Sequence, residues 1–511
     1  MALVLRLVVV AAAMFIVDSA SAAPAAKYAA IAIVDHHKPG YGAVRATVGT
    51  VTKHSANPLL VQDTPWEPRI DNGYPNVLRT PEGSWQLFYG SCELSCTTQV
   101  LLFANSTDGL RWRKPKLGLY NISRIRSDLA HIGTANNIVL EGGGIGVHRD
   151  DNAPASRRYV AFGPGCYRSG QPCHPVWQQS SEGRVLHSTS TNAQDLAVSQ
   201  DGLTYNDARV IPWPSPQRYD CHNNLMHDAT DDHAAGADES TAGGRWLATT
   251  RDGFGPPRGR AIGIAASRGG ALAFNTSVPP IVSMSGDENF QLYSQITFRW
   301  AQIYLGIVMV FEAKSAAQKV RCRLAWSPDA LDPRKWQWVD DGASGLDGAE
   351  LIPLGEGGAE TFDSHICFAA NKPLSFGDKE FLYYMGGNGP HGGARNSSLG
   401  LAMLRRDGFA AITAGGPIGH DAGSVFTIPI KCTGSTMVAT LDVAAGIGGK
   451  VQIGAVGFPD VSAGQAYPLE ANATNAPVTY VGGKNFAPLL GRMISLEIRL
   501  ERASLYTIGF V

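Results

Sequence analysis

The stretch FANSTDGLRW, residues 103–112, joins an apolar run to a Ser-x-Asp-Gly turn and then to an aromatic residue. Polar turn formers and a glycine are typical of the tight connection that follows a β-strand. The same arrangement returns as LAVSQDGLTY at 196–205, and more divergent copies surround Ser267, Ser327 and Arg406. The chain therefore repeats one strand-and-turn unit five times.

Two further strand-like runs precede each copy, such as YPNVLRT and WQLFYGS before the first one. Each unit thus supplies three consecutive strands, with a fourth after the turn. Radial repetition of a small antiparallel sheet produces this pattern, which predicts an all-β chain with a five-bladed β-propeller over residues 55–415. A pair of β-sandwiches is the alternative, but sandwiches have no reason to repeat one turn chemistry in phase.

The pattern changes near residue 420, where alternating runs such as FTIPIKC and KVQIGAVG lack the Ser-x-Asp-Gly turn. Several short alternating strands of this kind predict a small β-sandwich over residues 420–511. The architecture expected from the sequence is therefore a propeller followed by a sandwich.

Residues 1–22 have the features of a signal peptide: Arg6, an apolar run from Leu7 to Val17, and small residues before a cleavage site after Ala22. A membrane anchor is the alternative, but this run is shorter than the roughly 20 residues that a span requires. We expect a secreted protein, or one of the secretory lumen, with no membrane association after cleavage. Residues 23–54 then form a lead-in segment to the propeller.

Charge is balanced, with 43 Lys and Arg against 44 Asp and Glu and a net charge of -1. Nothing in this balance favours nucleic acid or an anionic membrane, so a neutral partner is expected. The glycine clusters do not lie between a strand and a helix, which argues against a phosphate loop. The run HDATDDH at 227–233 offers metal ligands, but a polar insertion explains it as well. We expect no cofactor and no metal.

Export would allow the eight cysteines to form disulfides. Cys92 with Cys96, and Cys166 with Cys173, are close enough in sequence to close small loops. The remaining four could pair over long range or stay buried as thiols, and they are Cys221, Cys322, Cys367 and Cys432. Five N-x-S/T sequences are candidate glycosylation sites on exposed turns, at Asn105, Asn121, Asn275, Asn396 and Asn472.

Several short motifs together resemble the five-bladed propeller superfamily of glycoside hydrolases, which includes invertase-like, levansucrase-like and arabinanase-like families. They are N-P-L-L at 57–60, P-W-E at 65–67, Y-P-N-V at 74–77 and S-x-D-G-L-x-W at 106–112. The ending at 491–510 is similar to the last strands of the sandwich that follows the invertase-like propeller. The resemblance implies hydrolysis of glycosidic bonds in a neutral oligo- or polysaccharide.

Acidic residues stand before the predicted innermost strands, which begin near the central cavity of a propeller. They are Asp71, Glu141, Asp220, Asp287, Glu288 and Asp363. Glycoside hydrolysis requires two carboxyl groups that flank the scissile bond. Units 1, 3 and 4 are where the superfamily usually carries its acids, so the resemblance selects Asp71 as nucleophile or base, Asp220 as transition-state stabiliser and Glu288 as proton donor. Aspartate before a strand is also a common turn former.

The family's acidic motifs, N-D-P-N, R-D-P and E-C-P, are not intact in this chain, where Tyr74-Pro75-Asn76 and His222-Asn223-Asn224 stand at the corresponding strands. Arg149-Asp150 looks like R-D-P. The repeat register, however, puts Asp150 in the hairpin away from the cavity, as a turn residue.

Other residues near the predicted cavity have the chemistry of sugar binding. Aromatic rings that could stack on a sugar face are Trp66, Tyr74, Tyr293 and His391, and polar groups that could bind its hydroxyls are Asn76, His222, Asn224, Arg251, Asp363 and His365. The tryptophans at repeat positions are expected to pack between strands instead, and they are Trp85, Trp112, Trp326 and Trp338.

Three functions therefore remain open from the sequence. A glycoside hydrolase that acts through paired carboxylates is the first. A non-catalytic propeller that binds carbohydrate is the second, since the family's motifs are altered. A structural or protein-binding propeller is the third, and it predicts a wide apolar rim without affinity for sugar.

Overall fold

The structure is a computed structural model. It describes residues 26–38, 40–70, 74–92, 99–163, 178–180, 183–185, 193–212, 219–228, 244–253, 259–267, 273–275, 277, 280–340, 348–414, 421–444 and 446–511. The predicted signal peptide, Asp71, Cys96, Cys166, Cys173 and most of the HDATDDH run lie outside these residues.

The described chain is almost entirely β-structure, which confirms the all-β prediction. The N-terminal elements are β1 (Ala26–Ala29), α1 (Ala30–Ile33), β2 (Tyr41–Gly42), β3 (Val44–Val48), β4 (Thr52–Lys53) and β5 (Leu60–Val61). Unit 1 contains β6 (Asn76–Arg79), β7 (Trp85–Cys92), β8 (Gln99–Ser106) and β9 (Ile138–Glu141). Unit 2 contains β10 (Gly146–Arg149), β11 (Tyr159–Phe162), the hairpin β12 (Gln178–Ser180) and β13 (Gly183–Val185), β14 (Ala193–Ser199) and β15 (Tyr205–Pro212).

The later units follow the same plan. Unit 3 contains β16 (Tyr219–Asp228), β17 (Arg245–Gly253), β18 (Arg260–Ser267) and β19 (Ile281–Ser285). Unit 4 contains β20 (Phe290–Trp300), β21 (Ile303–Glu312), β22 (Val320–Ser327), β23 (Gln337–Trp338) and β24 (Glu350–Ile352). Unit 5 contains β25 (Ile366–Ala369), β26 (Leu374–Phe376), β27 (Lys379–Gly387) and β28 (Ser397–Arg405).

The C-terminal strands are β29 (Ala410–Ala414), β30 (Ala422–Phe426), β31 (Ile430–Lys431), β32 (Met437–Val443), β33 (Lys450–Ala455), β34 (Ala473–Pro477), β35 (Met493–Ile494), β36 (Leu496–Glu501) and β37 (Ala503–Phe510). Short 3-10 turns cover Ile122–Arg124, Ser127–Ile132, Ala155–Arg157, Pro333–Lys335, Gly358–Glu360, Pro459–Val461, Ala463–Gln465, Val481–Gly483 and Ala487–Leu489.

Units 1, 2 and 3 each form a separate four-stranded antiparallel sheet. A single parallel pair, Val320 with Ile366, joins unit 4 to unit 5. In unit 5 the outermost position is filled by β4 and β5 from the N-terminal part of the chain, where Lys53 pairs with Ala402 and Leu60 with Leu399. An early strand that completes the last sheet is a feature of the propeller architecture, because it fastens the two ends of the repeat together.

The repeated turn has the same geometry in units 1 and 2. The Ser106 hydroxyl accepts hydrogen bonds from the amides of Asp108 and Gly109, at 3.2 and 2.9 Å, and Ser199 does the same for Asp201 and Gly202. Gly109 has a φ of 75°, and a Cβ there would lie 2.5 Å from the Tyr383 hydroxyl. Only glycine permits both the left-handed conformation and this close approach to unit 5.

The same contact region places two of the predicted packing tryptophans between units 1 and 5. Trp85 is fully buried and stacks on Phe381 with ring centroids 6.1 Å apart. Trp112 packs edge-on against Tyr383 at the same centroid separation, and the Tyr383 hydroxyl donates to the Gly109 carbonyl at 2.9 Å. The packing role of these two tryptophans is therefore confirmed.

Buried asparagines tie the innermost strands together. The Asn371 side chain, just after β25, accepts from the Val77 amide at 3.0 Å and donates to the Val147 carbonyl at 3.1 Å. Asn224 donates to the Asn371 carbonyl at 2.9 Å. The Asn76 side chain donates to the Ile145 carbonyl and accepts from the Val147 amide, both at 3.0 Å. Units 1, 2, 3 and 5 thus meet at one polar centre.

The C-terminal domain consists of two packed sheets, with strand orders β3-β29-β37-β32-β34 and β2-β30-β36-β33. Strand β1 pairs with β37, and β2 and β3 join the two sheets. The segment predicted as a lead-in therefore supplies strands to the sandwich, as does β29 at the end of the predicted propeller. Phe409, which directly precedes β29 of the sandwich, contacts Phe298 and Trp300 of unit 4, with ring centroids 5.2 and 5.8 Å apart. The sandwich therefore packs on the propeller.

Cys322 of β22 and Cys367 of β25 form a disulfide, with their Cα atoms 5.9 Å apart. This bond joins unit 4 to unit 5 beside their only parallel strand pair among the described residues. Cys432 is a buried thiol. Of the candidate glycosylation sites, Asn105 is half-buried on β8 and the other four are exposed. No helix within the described ranges is long and apolar enough to cross a membrane.

Candidate functional site: an aromatic floor and a cationic rim

Irregularities in two innermost strands aim side chains at the centre of the propeller. The β16–β17 register shifts between Asp220 and Asn224, and His222 there has a φ of 66°. The β20–β21 register shifts between Leu292 and Ser294, around Tyr293. β-Bulges bend a strand and re-aim its side chains, and they are enriched beside active sites.

These two side chains meet Tyr74, which precedes β6. Tyr74 stacks on His222 with ring centroids 4.1 Å apart and an interplanar angle of 21°. Phe368 of β25 lies edge-on to Tyr74 at 5.1 Å and contacts Tyr293 at 5.3 Å. We call these four buried rings, from units 1, 3, 4 and 5, the aromatic floor.

His222 is neutral in this environment. Its Nδ1 lies 2.5 Å from the Ser294 hydroxyl, and only 3% of the residue is exposed. Burial lowers the pKa of His222 to about 3, because an imidazolium in an apolar site loses its hydration. The ring therefore contributes a hydrogen-bonding surface rather than a positive charge near neutral pH.

Four arginines and a histidine surround the floor. Arg251 lies over the Tyr293 ring, with Cζ 4.4 Å from its centroid, and Arg260 lies 5.4 Å from it. His391 Nε2 is 3.1 Å from the Tyr293 hydroxyl, and the His391 carbonyl accepts hydrogen bonds from Arg69 and Arg395. We call the four arginines the arginine rim: Arg69, Arg251, Arg260 and Arg395.

Of the three predicted catalytic acids, only Glu288 has a side chain within the described structure. Asp71 lies outside the described residues, three positions before Tyr74. Asp220 is in β16 with its backbone opposite Arg251, and its side chain is outside the described part. Glu288 is exposed on the turn before β20 and forms an ion pair with Lys314 at 2.8 Å.

Two other acids near the strand starts have structural partners. Glu141 accepts a hydrogen bond from the Tyr120 hydroxyl and lies 3.5 Å from Arg124. Asp287 accepts from the amides of Asn289 and Phe290 at 2.7 Å. Both carboxylates thus stabilise local structure.

Half of the predicted sugar-binding residues form the floor or surround it, namely Tyr74, His222, Arg251, Tyr293 and His391. Asn76 and Asn224 instead use their amides to join strands in the buried polar centre, although the Asn224 Oδ1 has no hydrogen-bond partner in the described structure. The hydrogen bonds that these two side chains make to Ile145, Val147 and Asn371 reach backbone groups of other strands and segments, not side chains of the site.

The remaining three predicted residues bond to the protein elsewhere. Asp363 is buried and holds Lys53 at 2.5 Å and the Tyr384 hydroxyl at 2.7 Å. The Trp66 indole donates to Asn137 at 2.7 Å. His365 lies 2.9 Å from the Ser364 hydroxyl.

Asp150 follows β10, as the repeat register indicated. It accepts from the Asn152 amide at 2.9 Å in the hairpin to β11. In the part of the chain that the structure describes, no group of three His, Cys, Asp or Glu is arranged to hold a metal ion.

Some residues of the site were not predicted from the sequence. Arg69 and Arg395 come from loops, and Arg260 opens β18, so no strand periodicity marks them. Phe368 stands in the apolar run ICFA, where nothing distinguishes it from a core residue. Spacing from Asp71 could have drawn attention to Arg69, because the two are separated by one residue.

Comparisons with known proteins concern the fold. No protein-family model matches the chain, and no curated protein matches it. A solved structure named glycoside hydrolase is 14% identical and covers 70% of this chain and 92% of its own, with a TM-score of 0.40. A hydrolase of glycoside hydrolase family 62 in complex with xylotriose is 12% identical and covers 70% of this chain and 97% of its own, with a TM-score of 0.40.

A third structure extends further along the chain. The fructofuranosidase from Schwanniomyces occidentalis complexed with fructosylnystose is 10% identical and covers 90% of this chain and 99% of its own, with a TM-score of 0.37. With TM-scores of 0.40, 0.40 and 0.37, these likenesses carry no argument about activity, which has to be argued from the residues of this chain.

Proposed function

We propose that the protein is an exported enzyme that hydrolyses glycosidic bonds of an oligo- or polysaccharide at the aromatic floor. Asp71 would act as nucleophile or base, Asp220 as transition-state stabiliser and Glu288 as proton donor. Two carboxyl groups on either side of the scissile bond are the general requirement of this chemistry. Aromatic rings and hydrogen-bond donors beside them suit a sugar, which has both apolar and hydroxyl-bearing faces.

The observation that carries this proposal is the stack of Tyr74 on His222. Asp71 precedes Tyr74 by three residues, and Asp220 precedes His222 by two. Because a chain advances at most about 3.6 Å per residue, the Cα atoms of the two acids lie within about 11 and 7 Å of those of the stacked residues. This proximity supports a shared site for the two carboxylates.

Export is part of the proposal. The disulfide between Cys322 and Cys367 supports it, because such bonds persist mainly in oxidising compartments. The predicted signal peptide at 1–22 is consistent with the same route.

Hydrolysis assays on the mature chain, with fructans, arabinans, xylans and related oligosaccharides, test the activity. We expect Asp71→Asn and Asp220→Asn each to lower kcat by about 100-fold or more. The matched control is Asp128→Asn, which alters a carboxylate that is 59% exposed and paired only with its neighbour Arg126 among the described contacts. Undiminished hydrolysis in the Asp71→Asn, Asp220→Asn double variant would remove these residues from the mechanism.

A propeller that binds carbohydrate without cleaving it is the second candidate. The exposed ion pair of Glu288 with Lys314 favours it, since a proton-donating carboxyl usually sits in an apolar pocket. Oligosaccharide binding by calorimetry without turnover of any substrate would support this alternative.

A further inference from the structure

A row of polar side chains crosses the outer face of one sandwich sheet. Strands β29, β37 and β32 are neighbours in that sheet, where Ser504 is the cross-strand partner of both Thr413 and Asp442. Successive side chains of a strand point to opposite faces. The next residue on the core side of each strand is fully buried or nearly so, and these are Ile412, Leu505 and Leu441. The three polar side chains therefore face away from the core.

Arg502 joins two segments that rise beside this row. It lies in the turn between β36 and β37 with a φ of 42°. Its guanidinium donates to Asp421 at 2.6 and 2.9 Å and to the Ile447 carbonyl. Asp421 directly precedes β30, and Ile447 belongs to the loop between β32 and β33. These residues and the polar row line a cleft of about 560 Å³, which we call the sandwich cleft.

The sandwich cleft is separate from the aromatic floor. All of its lining residues come from the C-terminal strands and their connections, whereas the four rings of the floor come from units of the propeller. Sites for small molecules usually enclose about 300–1,000 Å³. The cleft therefore has the size of a ligand site of its own.

The charges that line the cleft are balanced in pairs. Asp421 holds Arg502, and Asp442 accepts hydrogen bonds from Arg405 and, at 2.9 Å, from the Tyr506 hydroxyl. A charged ligand would have to compete with one of these ion pairs, so the cleft favours a neutral one. Both hydrogen bonds from Arg502 reach one oxygen of Asp421, and a carboxylate has about four acceptor positions. Its other oxygen can accept from a hydroxyl of a ligand.

The remaining chemistry of the cleft also suits a polyhydroxylated ligand. The Thr413 hydroxyl lies 2.8 Å from that of Ser504 and 2.7 Å from that of Thr47, and hydroxyl groups both donate and accept. Ile447 is 61% exposed and supplies an apolar edge. A sugar has hydroxyl groups around its ring and C–H groups on its faces, so both kinds of surface find a counterpart here.

Resting on the proposed function for its choice of ligand, we infer that the sandwich cleft is a second carbohydrate site, which binds a neutral sugar unit. An acidic unit would bring its carboxylate towards Asp421 and Asp442, and like charges repel. Binding at the cleft as well as at the floor would raise the effective concentration of a polysaccharide at the protein.

Hydrogen–deuterium exchange of the full chain, read by mass spectrometry, locates a bound sugar on the sequence. The neutral probes are xylotriose, arabinotriose and 1-kestose, and the acidic probe is trigalacturonate. We expect at least one neutral probe to slow exchange in the peptides that contain Ile447 and Arg502. Trigalacturonate should require a concentration about tenfold higher or more for the same protection.

A double variant of the cleft tests the assignment to these residues. Asp421→Ala with Ile447→Ala removes the carboxylate and the apolar edge, and it should raise the concentration for half-maximal protection about tenfold or more. The matched control is Asp460→Ala with Val481→Ala, which removes an exposed acid paired with Lys484 and an exposed aliphatic side chain elsewhere in the sandwich. It should leave that concentration unchanged. If melting curves show that the double variant is unfolded, Ile447→Ala alone replaces it.

The outcomes separate this inference from the function on which it rests. Protection confined to the aromatic floor, with hydrolysis of a glycan, overturns the second site and leaves the hydrolase proposal standing. Protection of the cleft without hydrolysis of any glycan supports the second site and overturns the hydrolase proposal. Equal protection by trigalacturonate overturns the choice of a neutral sugar. Undiminished protection in the cleft variant, or no protection of the cleft by any neutral probe, overturns the inference.

Discussion

Tyr74 and His222 stack with their ring centroids 4.1 Å apart, although one precedes the first strand of unit 1 and the other lies in the bulge of unit 3. The contact therefore bridges units that are separated in the sequence by all of unit 2. We expect a double-mutant cycle with Tyr74→Ala and His222→Ala, followed by denaturant unfolding, to give a coupling free energy of about 0.5–1.5 kcal/mol. Tyr74→Phe should retain it, and a coupling near zero would contradict the stacked arrangement.

Acid should destabilise the protein through its buried histidines. His222 has a pKa of about 3, against about 6.5 in an unfolded chain. Between these values only the unfolded state binds the proton, so the free energy of unfolding should fall by about 1.4 kcal/mol per pH unit as the pH decreases through this window.

Urea unfolding at pH 7, 6, 5 and 4 measures that slope. His222→Asn should make the dependence of the unfolding free energy on pH shallower. Asparagine is chosen because it tolerates the positive φ at this position. Some slope should remain, because burial also lowers the pKa of His148. His36→Asn, at an exposed position, is the control, and an unchanged slope in His222→Asn would contradict the prediction.

The loop that carries Arg69 is held by a buried ion pair. Lys114 lies 2.5 Å from Glu67, whose side chain is fully buried, and the Tyr89 hydroxyl donates to the same carboxylate. Lys114→Met leaves that carboxylate without its cation and should lower the free energy of unfolding by about 3–5 kcal/mol. Adding Glu67→Gln to Lys114→Met should recover part of the lost stability. A Lys114→Met variant as stable as the wild type would contradict this account.

The contribution of the buried polar centre around Asn371 to stability should also be measurable. Asn371→Ala removes hydrogen bonds to Val77 and Val147 and leaves buried backbone groups without partners, which costs about 1–3 kcal/mol for each such group. Asn152→Ala, at an exposed hairpin position, should change stability by less than about 0.5 kcal/mol. Equal melting temperatures for the two variants would show that the centre is not structural.

The sequence predicted the parts of this structure that depend on local chemistry. The turn at Ser106, Asp108 and Gly109 could be recognised in each repeat because its hydrogen bonds lie within four residues. The spacing of these turns gave the repeat register, which placed Asp150 in a hairpin. The sandwich strands from 420 onward were visible from their alternation. The contribution of β1 to β3 to that sandwich was not, because the pairing partners lie hundreds of residues away.

The site was predictable only in part, since its geometry depends on long-range contacts. Tyr74, His222 and Tyr293 stand near strand starts and could be proposed from the register. Asn76 has the same kind of position, yet its amide joins strands, and no local pattern separates the two roles. The bulge at His222 and the loop residue Arg395 have no sequence signal that a single chain reveals.

The proton-donor role of Glu288 has its own signature. If Glu288 protonates the leaving oxygen, Glu288→Gln should strongly slow cleavage of natural glycosides but have much less effect on aryl glycosides with acidic leaving groups, which need no proton. Kinetics with both substrate types measures the difference. Equal slowing of both, or of neither, would assign the donor role to another group.

The most direct test is an experimental structure with a bound oligosaccharide, in which the distance between the carboxyl carbons of Asp71, the proposed nucleophile or base, and Glu288, the proposed proton donor, is measured. We predict a sugar ring against Tyr74 and His222, and a carboxyl separation of about 5–5.5 Å for a retaining enzyme or about 6.5–9.5 Å for an inverting one. A separation well beyond about 10 Å, or a sugar bound away from the aromatic floor, would contradict the assignment of this site as a glycoside-hydrolysing centre.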